Sequence, residues 1–347
     1  MLLTFTAKNS ILIIETDEKR RKAMQVFSVK SEKDLLEFNK STRTLERGCT
    51  AALGFFDGVH AAHRTLISEA VKTAKKSDIP SLVLTFSAKS TTFKPDRARL
   101  FTDGEKLSEI SSLGVDITVV FDFEIIKDLS KDEFVDNILV GMLNVKTAFC
   151  GYNFRFGKSA AGNSEYLENK MRSLGRETVV LDEYVNGGVS VSSTEVRALL
   201  SEKRLGEATA LLGKPFFSDG KVSHGWGLGK KLGIPTVNVD WDGEKFVLPH
   251  GVYLSLIEIS GRLYCGITNV GTCPTFDERK AHSETFIFDF DEEVYDENIR
   301  IYYVDFMRDE IKFPSQKELI MQINIDINRA KELSKEIKWQ EIGLSSR

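Results

Sequence analysis

The feature that most constrains this chain is a change of texture near residue 206. Before it, short apolar runs alternate with helix-period stretches; after it, strand-like runs follow one another without helices between them. In the first part SLVLTF (81–86), ITVVFDF (117–123), TAFCG (147–151) and ETVVLDE (177–183) read as buried strands. Between them HRTLISEAVKTAKK (63–76), TDGEKLSEISSLG (102–114), SKDEFVDNILVGML (130–143) and NSEYLENKMRSLG (163–175) carry the helical period. Strands alternating with helices imply right-handed crossovers, so an α/β doubly wound parallel sheet is expected, with ligands beyond the carboxyl ends of its strands. The stretch before Gly48 leaves room for an extra strand and helix but has no clear period.

A helical connector, STEVRALLSEKRLGEATALLG, leads into the second texture, and five of the seven prolines lie beyond it. PFFSDGKVSH, then VYLSLIEI and RLYCGITNV joined by Ser-Gly, then TFIFDF and IRIYYVDF predict an antiparallel all-β barrel. One amphipathic helix over 315–339 closes it. The expected domains are therefore 1–205 and 206–347.

Composition excludes several classes. A net charge of −4 over 347 residues gives no global attraction to nucleic acid or an anionic membrane, so any anion binding is local. Cys49, Cys150, Cys265 and Cys273 form no C-x-x-C pair, and the five histidines complete no ligand set near them. Reduced thiols are expected, not a disulfide frame or a structural zinc. The first residues lack the order of a signal peptide and no apolar run approaches the ~18 residues of a membrane span, so the chain reads as cytoplasmic.

Within the first domain, GFFDGVHAAH (54–63) reads as a strand AALGFF, a loop DGVH and a helix start. The free N–H groups of a helix N-terminus after such a loop form an anion site, and His60 and His63 can both donate to phosphate oxygens there. H-x-x-H lacks the spacing and glutamate of a zinc protease motif. Taken alone, two solvent-facing histidines at a helix start fit equally well. Downstream, GYNFRFG (151–157) sets Asn153 and Arg155 in a glycine-bounded loop, and VSVSSTEVR (189–197) puts Ser193 and Thr194 ahead of a helix with Arg197 one turn in. Singly, SSTEVR is more often a helix cap.

In the second domain, GWGLGKKLGIPTVN (225–238) is a glycine-rich cationic loop, with Gly227, Gly229, Lys230 and Lys231 able to wrap phosphates. It is neither a Walker A motif nor a dinucleotide-binding turn. Thr236 and Asn238 share one face of an extended strand, and both are hard ligands suited to Mg²⁺ beside nucleotide phosphates.

These motifs resemble, in order and approximate spacing, the prokaryotic bifunctional riboflavin kinase/FAD synthetases. The kinase resemblance runs through GKPFFSDGKVSHG, GIPTVN, LPHGVYLSLIEI, ITNVGTCPTF, SETFIFDF and FMRDEIKF. It implies a nucleotidyltransferase module that adenylylates FMN to FAD with release of pyrophosphate. It also implies a six-stranded barrel that phosphorylates riboflavin to FMN with MgATP. The substrates and products would be riboflavin, FMN, FAD and ATP, with no nucleic acid or membrane partner and at most weak homo-oligomerisation. By position, the resemblance gives Glu284 as the kinase base and His60 and His63 as phosphate contacts in adenylyl transfer. Gly54, Phe55, Asp57, Ser193, Thr194 and Arg197 would bind ATP, while Asn153 and Arg308 would serve the flavin. The chain departs from the family at Ala62, where glycine is usual, at the SAKS segment (87–90), at Lys230 where arginine is commoner, at Thr285-Phe286, and at VYDEN (294–298). A riboflavin kinase with weakened adenylyl transfer, or a flavin- or nucleotide-binding regulator, are the alternative readings. A regulator would be expected to lose Glu284 or Asn238 first, and both are present.

Overall fold

The computed structural model describes residues 11–14, 23–31, 33–34, 38, 45–87, 98–223, 233–274, 279–337 and 343–344. They fall into two compact units, Met1–Arg97 with Thr102–Val191, and Ala98–Phe101 with Ser192–Arg347. Among the described residues no helix is long and apolar enough to cross a membrane.

The first unit is built on β1 (Ile11–Ile14), β2 (Met24–Val29), β3 (Cys49–Leu53), β4 (Ser81–Phe86), β5 (Ile117–Phe121), β6 (Val145–Gly151) and, after the hairpin β7 (Arg155–Phe156) and β8 (Gly162–Asn163), β9 (Glu177–Leu181). These form a seven-stranded sheet in the order β1-β2-β5-β4-β3-β6-β9, with β7 and β8 apart from it. All its neighbours pair in parallel except β1 with β2. The N-terminal stretch thus contributes two strands, and β2 enters the parallel sheet beside β5. The longer helices are α1 (Ala61–Ser77), α2 (Asp103–Ser112), α3 (Lys131–Glu133, continued in π geometry over Phe134–Met142) and α4 (Ser164–Ser173). A second hairpin, β10 (Val185–Asn186) with β11 (Val189–Ser190), ends the unit.

Consecutive residues such as Leu82, Val83 and Leu84, or Val119, Val120 and Phe121, are all buried because both faces of a parallel sheet are covered, which explains the continuous apolar runs. Chain order reverses at β3: β4 lies on one side of it and β6 on the other. That is a topological switch point, where the loops after β3 and β6 part and leave a crevice.

The second unit starts with α5 (Ser193–Ser201) and α6 (Leu205–Leu212), which break the connector at Glu202–Arg204. Six strands follow: β12 (Phe216–Ser223), β13 (Val237–Asp240), β14 (Gly251–Ile259), β15 (Arg262–Pro274), β16 (Arg279–Ile287) and β17 (Asn298–Arg308). They close into a barrel in the order β12-β13-β16-β15-β14-β17, every pair antiparallel. The β14–β15 turn has φ of 48° at Ser260 and 78° at Gly261, the mirror-image turn whose twist suits a hairpin.

Buried hydroxyls meet in the barrel. Tyr303 Oη lies 2.8 Å from Ser218 Oγ and 2.7 Å from Ser283 Oγ, and Trp241 Nε1 donates to Ser283 Oγ at 2.7 Å. Each polar group finds a partner, so the network fixes strand register without an unpaired dipole. The C-terminal helix α7 (Gln316–Glu336) covers an apolar cluster of Val252, Leu254, Ile267, Phe288 and Met307, with Ala330 fully buried at the contact. Residues 98–101, which follow β4 in the chain, also belong to this unit. Arg99 exchanges backbone hydrogen bonds with Glu244 and Phe246, and the Phe101 ring lies 4.6 Å from that of Phe217.

Candidate active sites

In the first unit the strand ends at Leu53, short of the expected AALGFF, because Phe56 turns into the left-handed region at φ 56°. Its ring folds back so that a Cβ at position 54 would stand 2.9 Å from it, which is why Gly54 is a glycine. Gly58 at φ 74° and Val59 at φ 39° continue the turn. A β-branched residue at positive φ carries strain that the surroundings must hold. Thr85 of β4 supplies one such constraint, its hydroxyl donating to the Phe55 carbonyl at 2.9 Å.

This turn delivers His60 as the cap residue of α1 and His63 as its third helical residue. Contrary to the solvent-facing alternative, His60 is buried and His63 partly buried, and their rings stack at 3.6 Å with an interplanar angle of 18°. The edge of Phe56 packs on His63 at 5.2 Å. Burial lowers His60 to about 4 and puts His63 well below the ordinary imidazole value, where the charges of His60 and Lys106 add to the effect. Both rings are therefore neutral near pH 7, each with one N–H to donate. Nδ1 of each is buried without a hydrogen-bond partner among the described residues. An unmet buried polar atom costs about 1–3 kcal/mol, which a hydrogen bond to an incoming group would recover.

Lys106 is a residue that the sequence reading missed. It is 3% exposed, donates to the Phe86 carbonyl at 2.6 Å, and lies 4.8 Å from the centre of the Phe55 ring. The signal was available: Lys106 falls four residues before the buried Ile110, on the apolar stripe of its helix. Beside it, the almost fully buried Glu109 carboxylate pairs with Arg64 of α1 at 3.0 Å.

Asn153 follows the end of β6, next to the switch point, exposed and with its Oδ1 close over Gly151. Arg155 stands opposite Asn163 in the β7–β8 hairpin. Gly54, Phe55, Asp57, His60, His63 and Asn153 thus share the carboxyl-end side of β3 and β6. Ser193, Thr194 and Arg197 belong to the second compact unit. They sit inside the first turns of α5, not ahead of it, because Ser192 is the cap and accepts from the Glu195 N–H at 3.2 Å. Ala62 lies within α1 and outside the left-handed region, so no backbone strain attends the methyl.

In the second unit Glu284 lies at the middle of β16, opposite Asn238 of β13 on one side and Asn269 of β15 on the other. Thr236, just before β13, donates its hydroxyl to Glu284 Oε1 at 2.8 Å. Alternation along β16 sends Ser283 and Thr285 into the buried interior and Glu284 and Phe286 to the opposite face. Thr285 Oγ1 lies 2.9 Å from Thr268 Oγ1, so a hydroxyl contact holds the strand on each side of the glutamate.

That face opens on a cavity of about 630 Å³, whose lining includes Thr236, Asn269, Glu284, Phe286, Ile311 and Phe313. The size suits a drug-sized aromatic ligand. Arg308 lies on the cavity wall, its guanidinium held by the buried Asp326 of α7 through Nε at 3.0 and 3.1 Å and Nη2 at 2.7 Å. Gln322 adds a bond to the same carboxylate at 3.0 Å. Breaking such a pair costs about 3–5 kcal/mol, so Arg308 ties α7 to the barrel. Sequence reading missed Asn269 and Asp326. Gly227, Gly229, Lys230 and Lys231 lie outside the described residues, as does SAKS after Ser87. No group of His, Cys, Asp and Glu among the described residues could hold a metal by itself.

Comparison with known proteins matches both halves. The family model for FAD synthetase covers residues 42–195 and that for riboflavin kinase covers residues 212–334. The bifunctional riboflavin kinase/FMN adenylyltransferase of Bacillus subtilis (strain 168) is 33% identical over 287 residues, 80% of this chain and 90% of that one. The protein of the same description from Pseudomonas fluorescens is 34% identical over 304 residues, 84% and 95% of the two chains. That from Escherichia coli (strain K12) is 32% identical over 293 residues, 83% and 93%. Among solved structures, a crystal structure of a macrolide-efflux protein from Streptococcus pneumoniae is similar at a TM-score of 0.75 and 29% identity, over 88% of this chain and 98% of that one. With a matched domain for each half and relatives aligned across most of its length, the chain belongs to the bifunctional riboflavin kinase/FMN adenylyltransferases.

Proposed function

We propose that the chain carries out both reactions of its family, converting riboflavin to FMN and FMN to FAD with ATP, and that Glu284 and the stacked histidines are the working groups. The functional boundary we assign, near residue 206, falls between the two matched ranges.

The kinase reading rests on one observation above the rest: Glu284 stands on the cavity wall, beside Thr236 and opposite Asn238. Riboflavin lies in the cavity with its ribityl chain toward Glu284. The 5′-oxygen attacks the γ-phosphorus of ATP in line, its proton passes to the Glu284 carboxylate, and the bond to the β,γ-bridging oxygen breaks to release ADP. Thr236, donating its proton to Glu284, keeps its oxygen lone pairs for a cation, and the Asn238 amide oxygen is a second hard donor. Mg²⁺ held there with ATP would offset the charge on the phosphoryl oxygens.

For the second reaction, an FMN phosphate oxygen attacks the α-phosphorus of ATP, and the bond to the α,β-bridging oxygen breaks to release pyrophosphate. His60 and His63 donate to the polyphosphate from the buried turn, beside the N–H groups that open α1, while Gly54, Phe55 and Asp57 shape that turn. Lys106 adds positive charge behind them. Asn153 serves the flavin, and Ser193, Thr194 and Arg197 serve phosphates by their place in the family motif. The helical placement of Ala62 argues against a lost first activity.

We place this chemistry in the cytoplasm, where ATP is available and thiols stay reduced. Burial pushes the unpaired Cys49 and Cys150 thiols up to about 12, in keeping with inert core residues. The partners are the flavins and ATP; no nucleic acid or membrane role is assigned. The direct test is incubation of the protein with riboflavin and MgATP, followed by chromatographic separation of the flavins. Riboflavin should pass through FMN to FAD; FMN alone would refute the second activity, and no conversion would refute both.

A further inference from the structure

The described residues hold one more buried imidazole atom without a partner, Nδ1 of His282, and it lies on the working face of the barrel. His282 precedes Glu284 by two positions on β16, so the two side chains share a face, as do Glu284 and Phe286. No bulge interrupts the register: Asp240 and Gly271 stand opposite His282 as Asn238 and Asn269 stand opposite Glu284. Gly271 has no side chain, and the Glu310 carboxylate lies close over it, 2.7 Å from where a Cβ would stand, without giving His282 Nδ1 a hydrogen bond. The face therefore reads His282, Glu284, Phe286, and only the last two line the cavity.

We infer that His282 is an ATP-polyphosphate contact of the kinase site, lying on the far side of Glu284 from the flavin cavity. The inference rests on the kinase reading above. In-line displacement sets the attacking oxygen and the leaving group on opposite sides of the transferred phosphorus. If the hydroxyl arrives at Glu284 from the Phe286 side, the leaving phosphates extend toward the His282 side. An imidazole N–H meets a phosphate oxygen as a charge-assisted donor, and the buried Nδ1 gains the acceptor it lacks. Asp240, the exposed cross-strand neighbour, is an acceptor only; the donor in this pair of positions is the histidine.

The test is steady-state kinase kinetics, read as FMN plus FAD formed, for His282→Leu and His282→Gln with ATP and riboflavin varied in turn. His282→Leu should raise the KM for ATP by about ten- to a hundredfold, the range for a hydrogen bond to a charged group. The KM for riboflavin and the adenylylation of supplied FMN should stay within about twofold of wild type. His282→Gln, which keeps an N–H donor of shorter reach, should recover part of the loss. An unchanged KM for ATP in both variants overturns the inference, as does an equal rise for ATP and riboflavin, which would mark a distorted strand. Should the leucine variant fail to fold, the glutamine variant alone decides by the same two KM values. Glu284→Gln, assayed alongside, separates the layers: if it still makes FMN, the kinase reading falls; if only the histidine variants behave as wild type, that reading stands and this inference falls.

Discussion

On the function proposed above, the two sites handle ATP in opposite ways. In the first unit the polar atoms are withheld from one another: stacked, neutral His60 and His63 keep buried Nδ1 atoms unmet, above a turn with Phe56 and Val59 at positive φ. In the barrel the carboxylate is already joined, Thr236 to Glu284, on a wall stiffened by Ser283 and Thr285. Donors to a polyphosphate need no partner until the phosphate brings its own charge. A base must be kept oriented before its hydroxyl arrives. Preorganisation thus takes the form of unmet donors in one site and of a supported acceptor in the other.

The contrast can be broken most sharply at Glu284. Glu284→Gln keeps the shape but cannot accept the proton, so FMN formation should fall to background while supplied FMN is still adenylylated; loss of both activities would contradict separate sites. At the first site His63→Ala should lower FAD formation by about 10²–10³-fold, the cost of one transition-state donor, and spare the kinase. Equal loss in the kinase assay would show a folding defect instead.

A smaller effect concerns acid. His60 is lowered from 6.5 to about 4, so between those values the unfolded chain binds more protons than the folded one. Stability of the first unit should therefore rise with pH across that window and be lost as pH falls through it. His60→Gln should make the loss on acidification shallower, followed by thermal unfolding at stepped pH; an unchanged slope would remove the histidine from the account. The smallest effect belongs to Ala62. Ala62→Gly should leave the FAD rate within about twofold and cost the helix only about 0.5–1 kcal/mol. A large rate gain would mean that the methyl crowds the nucleotide after all.

Much of this was legible in the chain. Runs such as SLVLTF and ITVVF became β4 and β5 because strands covered on both faces read as unbroken apolar stretches. Glu284, Thr236 and Asn238 converge as strand alternation requires. What was hidden depends on three-dimensional placement. The sharp end of β3 follows from the left-handed Phe56, which no period announces. The role of Asp326 appears only once α7 lies on the barrel and Arg308 reaches it. Lys106 falls on the apolar stripe of its helix, but only the fold brings its ammonium to the Phe86 carbonyl, over the Phe55 ring.

The central claim, two self-sufficient sites in one chain, is tested most directly by mixing. Glu284→Gln and His63→Ala, each unable to convert riboflavin to FAD alone, are combined with riboflavin and MgATP, and FAD is measured over time. The account predicts that the mixture makes FAD, after a lag while FMN accumulates from the His63→Ala chain and is adenylylated by the Glu284→Gln chain. A mixture no more active than either variant, with both proteins folded, would contradict it.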